Sequence, residues 1–395
     1  MRILWLATKL PWPPVDGGRL VAQLTLEALA DLGARVTVLS PIWDASGVEE
    51  SAAALEAIGG RLEAVSVTPR PRLLDAALSP LARRPWTVRR HAHRAVRRRA
   101  QALVSAESFD LVHAEQVQAF DAGAGLGLPL VLRAQNVESD LWHALARRRR
   151  ILAAPLRVEG SRLAAYEAEA VRTASATVAL TEADAGRLRE LAGVGADQVQ
   201  AIPAPFPGAL KPASGSPRPA VARLEGDPAV VLFGSPGWWP NRDGARWFLE
   251  SAWPAVRAAH PRARLHLFGF DGAGSPGVDV HPAPRSSAEA MPPGSILAVP
   301  LFVSSGVRMK ILEAWARGVA VLASPAAARG LRYESGRELV VADGAEQWAQ
   351  GVTAVREAGE RLIEAGRTAL GDHAPAKVAQ ALAAVYRRRL DAVAD

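Results

Sequence analysis

The chain has 395 residues, 49% hydrophobic and 22% charged, with a formal net charge of +7 and no cysteine. Disulfides, thiolate metal sites and cysteine nucleophiles are thereby excluded. No run of about 18 apolar residues offers a membrane span, and the length favours two domains of roughly 150–200 residues. The apolar run of the opening "MRILWLA" is too short for a signal peptide and reads as a first strand, so the sequence predicts a cytoplasmic protein.

In chain order, "RILWLA" is a buried strand, "TKLPWPPVDGG" a Pro/Gly loop, "RLVAQLTLEALADLG" an amphipathic helix closed by glycine, and "ARVTVLSP" a second strand. Between Pro69 and Ala100 there are ten arginines and one acidic residue. A second basic cluster, "ARRRR", ends at Arg150. Lysine occurs only at 9, 211, 310 and 377, so the basicity is arginine, partly the mark of a GC-rich coding sequence. Clustering on helices points to a solvated face or to anionic lipid at residues 83–99, and no nucleic-acid motif accompanies it. His91 and His93, two apart on a helix, would point apart and make a poor metal pair.

Further strands are expected at "RLEAVSV", "DLVHAE", "LPLVLRA", "ATVAL" and "VQAIPAP". Residues 207–228, rich in Pro, Gly, Ala and Ser, read as a linker. Beyond it come "AVVLFGS", the long helix "DGARWFLESAWPAVRAAH", then "ARLHLFG", "VDVHPA", "SILAVPL", "AVLAS" and "ELVVAD", and a final helical stretch. Helical patterns between short apolar strands predict two α/β domains with doubly wound parallel sheets. The expected division is 1–206, the linker, 229–375, and a C-terminal helix at 376–395 that packs back on the first domain. Ligands of such sheets bind beyond the carboxyl ends of the strands, here expected in a cleft between domains.

The stretch "SSGVRMKILEA" (304–314) sits at such an edge, following "SILAVPLFV". Ser304, Ser305 and Gly306 are capping residues, and Arg308 and Lys310 lie at the start of the helix, where cations are disfavoured by about 0.3–1 kcal/mol. An anion docked there reverses that sign. Arg308 shares the anion with Lys310 only if the helix begins at or after it. The bland alternative is a surface i, i+3 pair of Lys310 with Glu313. Trp238 and Trp239 read as wall or core residues. No His/carboxylate spacing of metalloenzyme type and no D-x-D is found, so no metal is expected.

On "PPVDGGRL", "DLVHAEQVQAF", "LRAQNVESDLWHALA", "VALTEADAGRL", "VVLFGSPGWWPNRDGARWFLESAWPAV", "LHLFG", "VPLFVSSGVRMKILEAWARGVAVLAS" and "GLRY", the chain resembles the GT-B fold glycosyltransferases of family 4. These are retaining and nucleotide-sugar-dependent, and the motifs look like the branch that builds exopolysaccharides and cell-surface glycans. The resemblance implies a donor site in which Glu313, matching the second glutamate of E-x7-E, holds the ribose hydroxyls. Lys310 would address the diphosphate, and Gly17 and Gly18 would let backbone approach the donor. Ser304, Ser305, Gly306 and Arg308 would complete the donor-binding edge, with His113, Asn136 and Glu138 on the sugar or acceptor side. The implied co-substrate is a nucleoside diphosphate sugar, with no cofactor, and the implied acceptor a glycan, a lipid-linked group or a small molecule. Three positions depart from the family: Ser305 stands where the first glutamate would be, Gln135 where the family has histidine, and Ser235 and Asn241 near places many members fill with Arg and Lys. A nucleotide-sugar 2-epimerase of the same fold and a non-catalytic sugar-nucleotide binder are the alternatives these departures leave.

Overall fold

The computed structural model describes residues 1–68, 82, 84–208, 223–272, 274–284, 286–303 and 305–394. Ser304, Arg83 and residues 209–222, most of the expected linker, lie outside the described residues. The chain divides into two units. The first comprises Met1–Pro205, Ser305–Val307 and Pro375–Asp395, and the second Phe206–Ser304 and Arg308–Ala374.

The first unit is built on seven parallel strands: β1 (Arg2–Leu6), β2 (Arg35–Ile42), β3 (Arg61–Ser66), β4 (Leu111–Glu115), β5 (Leu130–Ala134), β6 (Ala176–Ala179) and β7 (Val199–Ala201). Their order is β3-β2-β1-β4-β5-β6-β7. Because alternate residues of a strand face opposite sides, β1 feeds two cores. Ile3 and Trp5 pack with Leu26 and Leu29 of the helix Gly17–Asp31 and with Val378, Leu382 and Val385 of the C-terminal helix Pro375–Ala394. Leu4 and Leu6 face the other way, toward Val96, Leu103, Leu163 and Val171. A sheet buried on both faces explains why its strands read as unbroken apolar runs.

Polar groups interrupt the first of these cores. Glu115 accepts from Arg133 Nε at 2.8 Å and lies 2.7 Å from Nη2, while Nη1 donates to Thr25 Oγ1 at 2.6 Å. Arg133 holds the Glu115 carboxyl below its ordinary range, against the upward push of burial. His113, two residues from Glu115 on the same strand face, stacks on Trp5 at 3.8 Å and contacts Glu115 Oε2 through Nε2 at 3.1 Å. Its Nδ1 lies 2.7 Å from the hydroxyl of Tyr386. An ionised Glu115 only accepts, so Nε2 carries the proton and Tyr386 donates to Nδ1. Burial pushes the His113 imidazole down to about 4, which keeps it neutral.

The Arg-rich stretch forms two helices, Trp86–His91 and Arg94–Ala106. His91 ends the first and His93 caps the second, so they do not share one helix as the sequence suggested. Several of these arginines are engaged within the unit: Arg99 with Glu63 at 2.6 Å, Arg84 with Asp121 at 3.0 Å, and Arg90 over the Trp86 ring at 5.3 Å.

The second unit has six parallel strands: β8 (Ala229–Phe233), β9 (Arg264–Phe268), β10 (Val278–His281), β11 (Ser295–Val299), β12 (Ala320–Ala323) and β13 (Val340–Val341), in the order β10-β9-β8-β11-β12-β13. The long helix after β8 starts at Trp239, earlier than its pattern suggested, because Pro240 suits a first turn. It continues through a π-helical turn at Phe248–Ala252 to Ala259. Phe248, Trp253 and Val256 bury its inner face against Val230 and Leu232.

Tyr386 is the tie between the C-terminal helix and the buried charges of β4 and β5. Tyr386→Phe removes one hydroxyl and leaves His113 Nδ1 buried without its donor. Urea denaturation should show a loss of about 1–3 kcal/mol, the usual cost of orphaning a buried polar group. An unchanged midpoint would mean that the contact contributes nothing.

Candidate functional site

In both sheets the chain winds outward in opposite directions from one central pair of strands, β1/β4 in the first and β8/β11 in the second. Connections leave the carboxyl ends of such a pair on opposite faces, which opens a crevice between them. Each unit carries a polar cluster at that point.

In the second unit the cluster is built on Lys310. The helix Met309–Arg317 follows β11, and Arg308 occupies its N-cap position outside the helical turn. The condition for Arg308 to share an anion with Lys310 is therefore met. Lys310 Nζ donates to the carbonyl of Phe233, the last residue of β8, at 2.7 Å, and to Asn241 Oδ1 at 3.3 Å. Gly234 makes this approach possible: a Cβ there would lie 2.7 Å from Asn241 Nδ2 and 2.8 Å from Lys310 Nζ. Burial pushes the Lys310 ammonium down to about 7, helped by Arg308 and opposed by Glu313. The Arg308 guanidinium lies 5.0 Å from the Trp238 ring centre. Lys310 thus has two neutral acceptors and a neighbouring cation.

One turn on, Glu313 is half-buried, and its carboxyl is pushed up by burial. It accepts from Ser287 Oγ and lies 3.7 Å from Arg317, its i+4 neighbour. The ion pair therefore runs to Arg317, and the Lys310–Glu313 surface pair is not formed. Arg317 also donates to Ser287 Oγ at 2.9 Å, so two linked side chains fix the carboxylate's position. The sequence supplied Lys310, Arg308 and Glu313 but not Ser287. The i+4 spacing was the available signal for Arg317.

At the first unit's switch point, Asp16 caps the helix beginning at Gly17, accepting from Arg19 N at 3.0 Å, and Lys9 donates to it at 2.7 Å. Gln135 donates to the Gly18 carbonyl at 3.1 Å and to Glu115 Oε1 at 2.6 Å. Gln116 Nε2 donates to Gln135 Oε1 at 3.0 Å, and Thr8 Oγ1 donates to Gln116 Oε1 at 2.9 Å. Gly18 is needed here, since a Cβ would stand 2.8 Å from Gln135 Oε1. Sequence reasoning missed Gln116. Its φ of 73° and ψ of 151° fall in a region almost reserved for glycine. Its neighbours supply no sequence signal for that conformation.

Several expectations are corrected. His113 has no exposed surface and serves the core, so it is not a sugar- or acceptor-side group. Ser305 Oγ accepts from Val137 N at 2.7 Å and donates to Asp184 Oδ1 at 3.0 Å, and Gly306 N donates to Asp184 Oδ2 at 2.8 Å. Those groups are spent within the first unit rather than offered to an anion. The Asn136 amide fits with its nitrogen donating to the carbonyls of Gln135 at 3.2 Å and Ser305 at 2.8 Å. Glu138, the one carboxylate of the three, is half-buried at the start of the helix Glu138–Arg148, and burial pushes its carboxyl up. Ser304 lies outside the described residues. Among the described residues no group of three or more His, Asp or Glu side chains is disposed to hold a metal ion.

Residues 15–206 match the Glycosyltransferase Family 4 domain model, and residues 227–357 match the model for Glycosyl transferases group 1. No curated protein sequence matches the chain significantly. Among solved structures, Anabaena HepE in complex with UDP and glucose is similar at 18% identity and a TM-score of 0.64, covering 98% of this chain and 100% of that one. Sucrose-phosphate synthase from Thermosynechococcus elongatus is similar at 15% identity and a TM-score of 0.71, covering 99% and 100%. The glycosyltransferase WaaG, involved in lipopolysaccharide biosynthesis, has 15% identity and a TM-score of 0.60 over 95% and 98%. With one such domain model on each doubly wound unit, the chain belongs to the GT-B glycosyltransferases.

Two stability measurements check this geometry. In ordinary backbone, alanine is more stable than glycine by roughly 0.5–1 kcal/mol. At position 116 the order should reverse, with Gln116→Gly more stable than Gln116→Ala by about 1–3 kcal/mol, because both lose the side chain and only alanine keeps the strain. The usual order would show that the backbone relaxes. For Lys310, the unfolded side chain holds its proton up to the ordinary value of 10.5, whereas the folded one releases it near 7. The unfolded state therefore binds more protons between these limits, and this contribution makes stability rise with pH across the window. Lys310→Met should be more stable than wild type below pH 7, with the gap closing toward pH 10. A pH-independent gap would refute the depressed ammonium.

Proposed function

From membership of the GT-B glycosyltransferases, we propose that the chain transfers a sugar from a nucleoside diphosphate sugar to an acceptor hydroxyl with retention, in glycan or glycoconjugate synthesis. The observation that carries the donor assignment is the uncompensated Lys310 ammonium at the β8/β11 switch point, beside Arg308 and one turn from a fixed carboxylate. An ammonium held against two neutral oxygens is stabilised by an arriving dianion. The nucleotide's phosphates would supply the countercharge that these neutral oxygens do not.

In this reading Glu313 accepts hydrogen bonds from the ribose diol, which a carboxylate does with two oxygens. Lys310 and Arg308 face the diphosphate and stabilise the charge that develops on its oxygens as the glycosidic bond breaks. That task needs no metal, and leaving-group stabilisation is assigned to these cations alone. The leaving phosphate helps deprotonate the acceptor from the same face. Glu138 is the carboxylate candidate for the sugar or acceptor side. The solved HepE complexes with UDP and with UDP-glucose make those two ligands the first to test. A polysaccharide, lipid-linked or small-molecule acceptor fits equally well.

The buried Ser305 hydroxyl favours one rival, a binder without turnover, because no anion replaces the family's first glutamate at that position. Donor hydrolysis assays separate the two. The donor assignment itself is tested by Lys310→Ala. The lost contact is to phosphate, so UDP should weaken far more than uridine, by roughly ten- to 150-fold for a charge-assisted bond of about 1.5–3 kcal/mol. Glu313→Ala should instead weaken both ligands, since both carry the ribose. Equal losses for UDP and uridine in Lys310→Ala would remove Lys310 from the diphosphate site.

A further inference from the structure

The helices Glu138–Arg148 and Ala153–Thr173 of the first unit pack against each other and are joined by a short turn at Arg150–Leu152. Glu167 of the second helix accepts from Glu138 N of the first at 2.6 Å and from Ser139 N at 3.1 Å, and a Cβ at Gly160 would stand 2.9 Å from the His143 ring. At the tip large aliphatic residues are turned out. Ile151 is 98% exposed, Leu152 54% and Val158 57%. A single exposed aliphatic needs no explanation, but here three fall in the twelve residues "RRRRILAAPLRV" at 147–158. The same twelve residues hold five arginines, Arg147, Arg148, Arg149, Arg150 and Arg157, and no acidic residue. Among the described residues, no ion pair joins Arg147, Arg150 or Arg157 to a carboxylate.

We propose that this helical-hairpin tip is a docking surface for an anionic lipid bilayer, with Ile151 and Leu152 entering the headgroup–acyl boundary and the arginines ringing them at the phosphates. Charge and apolarity each select this occupant. A bilayer surface offers negative phosphates above hydrocarbon, which is the order of groups this tip presents. A nucleic acid would use the arginines but has no place for exposed aliphatic side chains, and no aromatic side chain for base stacking lies between 147 and 158. A second copy would bring Arg147, Arg150 and Arg157 against the same like charges. This surface also differs from residues 83–99, where Arg84 and Arg99 are already paired with Asp121 and Glu63. The inference does not depend on the donor chemistry.

The test is co-sedimentation of the full chain with vesicles of phosphatidylcholine alone and with phosphatidylglycerol added, at low and high salt. A parallel measurement on immobilised heparin reads polyanion binding without hydrocarbon. Wild type should bind the anionic vesicles, less so as salt rises. The double substitution Ile151→Ser, Leu152→Ser, at exposed positions, should keep the fold and heparin retention while losing at least tenfold in vesicle affinity, about 1.4 kcal/mol. Arg147→Gln with Arg150→Gln should weaken both, by roughly fivefold per charge on vesicles. The triple replacement of Arg97, Arg98 and Arg99 by glutamine should weaken vesicle binding much less. Unchanged vesicle binding by the double serine variant would overturn the proposal. So would heparin retention without vesicle binding, which marks a polyanion site, or self-association abolished by the serines, which marks a seat for a second copy.

Discussion

Parallel strands cannot be joined by tight turns, and every consequence in this molecule follows from that constraint. Each crossover must run back along a face of the sheet, and right-handed crossovers place successive helices on one face until the winding reverses. At β1/β4 and again at β8/β11 the reversal leaves two strand ends without a connection closing over them. Backbone carbonyls and helix starts converge there. Lys310, Asn241 and the Phe233 carbonyl meet at one such place, and Gln116, Gln135 and the Gly18 carbonyl at the other. One cluster is cationic and the other is neutral and amide-rich.

The buried ion pair in the first unit belongs to the same logic. Arg133 and Glu115 lie on adjacent central strands, and their desolvation is tolerated only because most of their polar atoms find partners, in Thr25, His113 and Gln135. Replacing the pair by aliphatic residues could leave the sheet as stable. It would also remove the anchor that orients Gln135, and through it the Gly18 carbonyl and the Gln116 amide. The network therefore serves position more than stability. The strained backbone of Gln116 shows the same preference, because local strain persists only where its surroundings over-determine it.

The architecture was legible because strands buried on both faces must be apolar throughout, whereas crossing helices must repeat every three or four residues. "RILWL", "DLVHAE" and "SILAV" could be little else. Lys310 and Glu313 were legible because cations at a helix start and a carboxylate one turn on need a reason. What stayed hidden depends on long-range pairing. His113 reads as a polar residue inside a strand. Its neutral, fully buried role needs Tyr386, 273 positions away. Ser305 reads as a cap, yet its hydroxyl belongs to Asp184, 121 positions away. Gln116 has a glutamine's sequence neighbourhood and a glycine's backbone, a combination set by the tertiary contacts of its side chain and not by local propensity.

The charge at Lys310 is placed against the interests of stability. A lysine at this helix start is unfavourable three times over, from burial, from Arg308 and from the positive end of the helix. Its acidic neighbour Glu313 is already held by Arg317 and Ser287. If stability were the sole demand, a methionine of similar length would fill the site without these costs. Such a group is retained when its charge is used in a state other than the empty one. Under the proposed donor assignment that state is the one in which the ammonium faces phosphate and regains its ordinary basicity. The energy withheld from the empty protein is thereby returned on binding. In the proposed transfer it would increase further as charge builds on the departing diphosphate.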